Sequence, residues 1–154
     1  MVMAASSRNL LGLRRPRNRT VGAVAAVLVG YALAFVARLG TVLPFIGLGI
    51  VAFVAGLGIA VYAGWARGGA LAGLGSVFLP LLWISFIPPL VAYLRGLKFA
   101  GSRYSTIRVS QAEYTPEKEL EVAVGQVPFL LIVALLFGGV AFLLGAGARR
   151  AFGR

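Results

Sequence analysis

Four stretches of the chain, residues 21–37, 42–66, 70–94 and 127–148, contain no Asp, Glu, Lys, Arg or His. A helix needs about 20 consecutive apolar residues to cross the ~30 Å hydrocarbon core of a bilayer. Backbone polar groups find no water there, so an apolar run that crosses must satisfy them internally as a helix. The composition agrees, with 60% hydrophobic and 12% charged residues and a mean hydropathy of +0.93; soluble domains carry roughly 45–50% apolar residues. The expected fold class is an all-α integral membrane protein, a four-helix transmembrane bundle. It is divided into a basic tail (1–20), a membrane domain (21–148) with one 32-residue polar loop (95–126), and a second basic tail (149–154).

The 15 Lys and Arg against 4 acidic residues give a net charge of +11, and the placement of those charges decides what they mean. Arg8, Arg14, Arg15, Arg17 and Arg19, then Arg67, then Arg149, Arg150 and Arg154 fall on one side of a four-span topology. The other side holds Arg38, Arg95, Lys98, Arg103, Arg108 and Lys118, together with all four glutamates. The positive-inside rule therefore predicts cytoplasmic termini in a multi-pass cell-membrane protein. Arg14, Arg15, Arg17 and Arg19 are also placed to meet anionic lipid headgroups. Nucleic-acid binding is not expected, since no aromatic residues interleave with these arginines. An uncleaved first helix is expected rather than a cleaved signal, because Pro16 and Arg17 interrupt the approach to the apolar run and three more runs follow. The bias of 13 Arg to 2 Lys with Ala, Gly, Val and Leu spans is that of a GC-rich prokaryotic genome.

Two spans carry small residues at every fourth position: Gly22, Ala26, Gly30 and Ala34 in the first, Ala52, Gly56, Ala60 and Gly64 in the second, with Gly68 continuing the latter. Such stripes let helix backbones approach closely in lipid. With 21 glycines in the chain the spacing arises readily, so packing inside one bundle is the expected use and a homo-oligomer interface the alternative.

The third span is irregular. Pro80 removes the hydrogen bond to the Ser76 carbonyl, and Pro88-Pro89 free those of Ile84 and Ser85. A kink near 76–80 and a break near 84–89 are predicted. Ser76 and Ser85 are the only Ser or Thr residues in the four runs, so Ser76, Pro80, Trp83, Ser85 and Pro88 are candidates for a polar path, with a locally satisfied structural helix as the plainer reading. Trp83 lies deep in this span and its indole N–H is expected to meet a freed carbonyl. Tyr62, Trp65 and Tyr93 lie near span ends as interfacial anchors.

In the polar loop, Tyr104 to Tyr114 alternates partially and reads as a short extended ribbon. Thr115-Pro116-Glu117 then reads as a helix start with Thr as N-cap. A turn or two from Pro116 to Val124 is expected along the membrane surface, with Gly125 and Pro128 marking a corner into the fourth span.

The chain has no Cys, His or Asp, and its only carboxylates are Glu113, Glu117, Glu119 and Glu121. Nucleophilic triads, metal hydrolysis and His-ligated haem cannot be assembled from this set. No ionisable group lies within a span, which speaks against proton-coupled transport. The expectation is a non-enzymatic assembly or interaction subunit without cofactors, packing through small-residue faces against a second copy or another membrane protein. A small passive channel using the proline-broken third span is the alternative.

Overall fold

The computed structural model describes residues 11–37, 45–94, 96 and 115–152. Among these the chain is all-helical: α1 (Arg14–Val36), α2 (Phe45–Ala66), α3 (Ala70–Leu94), α4 (Pro116–Val133), a π-helical segment (Ala134–Gly138) and α5 (Gly139–Phe152). Three helices are long and apolar enough to cross a membrane, over Gly49–Ala66, Ala70–Val91 and Glu117–Phe152. α1, which carries the first uncharged run, is not among these three.

The expected corner at Gly125 and Pro128 is absent. The backbone stays helical through the junctions, Ala134 and Gly139 both having right-handed helical dihedrals, so Glu117–Phe152 is one 36-residue rod, about 54 Å long at 1.5 Å per residue. Pro128, inside this helix, is exposed. The predicted start of this rod is found. Thr115 is extended (φ −81, ψ 153), its Oγ1 accepts from Lys118 N at 3.4 Å, and Glu117 and Glu119 occupy the first turn, where the helix dipole favours acid. The 104–114 ribbon and the four-residue 38–41 connection lie outside the described residues.

The predicted break in α3 is also absent, since the helix runs unbroken from Ala70 to Leu94 with Pro80, Pro88 and Pro89 inside it. Pro80 and Pro88 are fully buried, and neighbouring helices can satisfy what a proline frees.

α2 and α3 share the centre of the packing: α2 is in contact with α1, α3, α5 and the π segment, and α3 with α1, α2 and all three parts of the rod. Two small cores result. Ala60, Val77, Ala134 and Ala141 are buried under Phe53, Leu57, Phe78 and Leu81, and Tyr31, Ala52 and Ile84 under Val27 and Trp83. Phe53 and Phe137 add an edge-to-face ring pair with centroids 5.8 Å apart. Most buried positions are alanine or glycine, as suits association that depends on close backbone contact rather than on expulsion of water. The large side chains face outward instead, among them Val29, Leu33, Val51, Trp65, Phe129 and Leu143.

Candidate functional site

The eight small residues singled out from spacing fall into two environments. On α2, Ala52, Gly56, Ala60 and Gly64 are all buried, and so is Gly68. A Cβ on Gly56 would strike the Ser76 carbonyl oxygen, and one on Gly64 would strike the Phe142 carbonyl oxygen and lie 2.9 Å from Ala146 N. From the other side, a Cβ on Gly145 of α5 would strike the Val61 carbonyl oxygen and lie 3.0 Å from Trp65 N. Gly64 and Gly145 therefore interlock α2 and α5 backbone to backbone. On α1 the matching stripe faces away: Gly22, Ala26 and Gly30 are exposed and Ala34 half-buried. Added Cβ atoms on Gly22 and Gly30 would meet nothing within 4 Å. The inward face of α1 is Thr20, Val24, Val27 and Tyr31.

A third small-residue seam, Ala134, Gly138, Ala141 and Gly145 on the rod, is buried against α2 and α3. Reading the sequence span by span missed it, although its four-three-four spacing is visible there. The π segment covers the first half of the seam, and Val77 Cγ2 sits 3.2 Å from where a Gly138 Cβ would be.

Of the five polar-path candidates, Ser76 is fully buried at the α2–α3 crossing. Its Oγ lies 2.9 Å from Gly56 O and 2.7 Å from Gly73 O, so one hydroxyl hydrogen is shared between two helices. The Ser76 carbonyl, which Pro80 cannot bond, lies against Gly56, where a Cα–H contact is available to it. Ser85 Oγ donates within its own helix to Leu81 O at 3.1 Å. Pro80 and Pro88 are packed in the interior. Trp83 departs from expectation, because its buried Nε1 has no hydrogen-bond partner. The prolines free carbonyls, but none is aligned with this indole.

The start of α1, the α2–α3 turn and the last turns of α5 meet at one end of the molecule. There α2 ends with Arg67 in the left-handed region (φ 61), and Gly68 N donates to Ala63 O at 2.8 Å, the bond that closes a Schellman turn. Gly69 (φ 95) then leads into α3. The segment before α1 lies across this turn. Leu13 N donates to Arg67 O at 2.9 Å, and Gly12 (φ 66) is so close that a Cβ would strike the backbone at Gly68 and Gly69. From α5, Arg149 Nη1 reaches Gly64 O at 3.0 Å and Trp65 O at 3.4 Å, supplying donors to the α2 carbonyls that have no helical partner. Between these elements is a cleft of about 1010 Å³ whose lining includes Arg14, Arg67, Arg149 and Arg150, with Phe142 and Leu143 as its apolar side. In the sequence these arginines read as an orientation signal, with Arg14 also placed to meet anionic headgroups. Nothing local announces that they converge, since their meeting depends on how three segments distant in sequence pack.

Among the described residues no group of three or more His, Cys, Asp or Glu side chains could hold a metal ion. Comparison with protein-family models, with curated proteins and with solved structures gives no match.

Proposed function

We propose that the chain is a multi-pass membrane protein without chemistry of its own, an assembly subunit that docks through the outward face of α1. The observation that carries the reading is the open stripe of Gly22, Ala26, Gly30 and Ala34. α1 packs Thr20, Val24, Val27 and Tyr31 inward and leaves the small-residue stripe outward, beside the exposed Val21, Val29 and Leu33; small residues at that spacing let a second helix approach closely. In this reading four helices enter the cell membrane, with the arginine-rich end cytoplasmic. Arg14, Arg15, Arg17 and Arg19 lie against anionic headgroups, each contributing about 1 kcal/mol. The rod outruns the ~30 Å hydrocarbon core and carries Glu117, Lys118, Glu119 and Glu121 out on the opposite side.

A second copy of this chain is the partner to test. The fraction of dimer is measured by single-molecule photobleaching in liposomes of fixed lipid-to-protein ratio, for the natural chain and for Gly22→Leu combined with Gly30→Leu. The natural chain is expected to dimerise, and the double variant to remain monomeric with a melting temperature no lower than that of the natural monomer. Equal dimer fractions would overturn the α1 face. Ion flux through those liposomes that is lost on Ser76→Ala would instead favour a path through α3.

A further inference from the structure

We propose that the basic cleft is a specific site for one phosphate-bearing anion, held by Arg14, Arg67, Arg149 and Arg150 with Phe142 and Leu143 beside it. Four arginines line one cleft of about 1010 Å³. Among the described residues no carboxylate lies at this end; the glutamates Glu117, Glu119 and Glu121 are at the far end of the rod, about 40 Å away at 1.5 Å per residue. Within the described residues the cleft therefore carries four positive charges with no acidic side chain beside them.

Arg67 gives a second, independent reason. It is the only non-glycine residue with positive φ among the described residues, at a helix-ending position where glycine is the ordinary choice because other side chains are strained there. Two glycines follow it directly. Strain retained where a smaller residue would relieve it points to a role for the side chain, and that side chain lines the cleft. Arg149 gives a third. Its Nη1 is fixed on Gly64 O and Trp65 O, so the guanidinium is held in place while its remaining N–H donors stay available, guanidinium having five in all. Planar, fixed arginines recognise phosphate oxygens by paired hydrogen bonds.

The chemistry fits a phospholipid headgroup, whose chains would lie on Phe142 and Leu143, and equally a free phosphate. The headgroup source rests on the membrane reading above; the site itself does not depend on the α1 face. Native mass spectrometry of the full-length protein in an uncharged detergent separates these cases, with phosphatidylglycerol, phosphatidylcholine and inorganic phosphate as probes. Phosphatidylglycerol is expected to be retained at one per chain and phosphatidylcholine not to be. Displacement of that lipid by millimolar phosphate would identify the free anion as a competent ligand, and persistence of the lipid would identify the headgroup.

Arg67→Gly should weaken retention about tenfold, in line with the loss of one charge-assisted hydrogen bond, while the lipid-free melting temperature stays level or rises. Lys118→Gln removes one positive charge at the far end of the rod, outside the cleft, and should leave retention unchanged. Should Arg67→Gly lower the melting temperature, Arg150→Gln on the exposed side of α5 is expected to show the same loss of retention. Equal retention of the two lipids, or a loss with Lys118→Gln as large as with Arg67→Gly, would overturn the site.

Discussion

The first two helices carry the same small-residue spacing and use it in opposite ways. On α2 the stripe from Ala52 to Gly68 is buried throughout, and on α1 the stripe from Gly22 to Ala34 is turned outward. The difference lies in what shares each helix. Bulky residues of α2, Ile50, Val51, Val54 and Tyr62, are on its exposed side, so the small face, flanked by Phe53 and Leu57, meets its several neighbours. α1 has Thr20, Val24, Val27 and Tyr31 on the side opposite its glycines, and this larger seam takes the intramolecular contact. A small-xxx-small pattern thus marks a face capable of close approach, and the rest of the helix decides whether the chain's own helices fill it.

The sharpest way to break the comparison is to add bulk to both faces. Gly64→Leu is expected to cost about 3 kcal/mol or more of stability, at the upper end for overpacked cores, because the new side chain must displace the Phe142 and Ala146 backbone rather than a flexible side chain. Gly145→Leu should behave alike, as it drives into Val61 and Trp65 from the partner helix. Thermal unfolding in detergent reads both. A Gly64→Leu protein that melts with the natural one would show that α2 and α5 do not interlock.

What the sequence revealed follows from which forces are local. Three long apolar helices and the Thr115 cap were legible, because apolar length and an N-cap are properties of contiguous residues. The break at Pro88-Pro89 and the corner at Gly125 and Pro128 do not form, because proline's lost i−4 bond and its ring against the i−4 carbonyl end a helix only where the surrounding packing does not offset them. Here both prolines near 88 are buried in a continuous helix and Pro128 faces outward. The choice of buried stripe was not legible from spacing, and the cleft less so: Arg149 meets Gly64 across 85 positions of sequence.

Smaller in effect is the hydrogen bond that pins the buried stripe to α3. Ser76→Ala should cost about 1 kcal/mol, in the range measured for hydroxyls bonding between membrane helices, because Gly56 O loses a partner in another helix. Ser85→Ala serves as the contrast. Its hydroxyl returns to the carbonyl four residues back in its own helix, a bond that competes with the helix's own ladder, and the change should be close to neutral. Equal losses at the two positions would mean that the bridge between helices adds nothing to local satisfaction.

The smallest expected effect is also the most discriminating, because its sign differs between the two faces. A helical glycine is less favourable than alanine by about 0.5–1 kcal/mol through backbone entropy, so Gly30→Ala, with nothing within 4 Å of its new Cβ, should raise the melting temperature of the monomer slightly. The same change at Gly56 gains the same entropy. It loses more, since the new methyl meets the Ser76 carbonyl and comes within 3.3 Å of Val77 Cα, and both are backbone that cannot rotate away. The melting temperature should therefore rise for Gly30→Ala and fall for Gly56→Ala. A fall at Gly30 in dilute detergent would mean that α1 is already packed on something through its glycine face, and the comparison between the two stripes would fail at that residue.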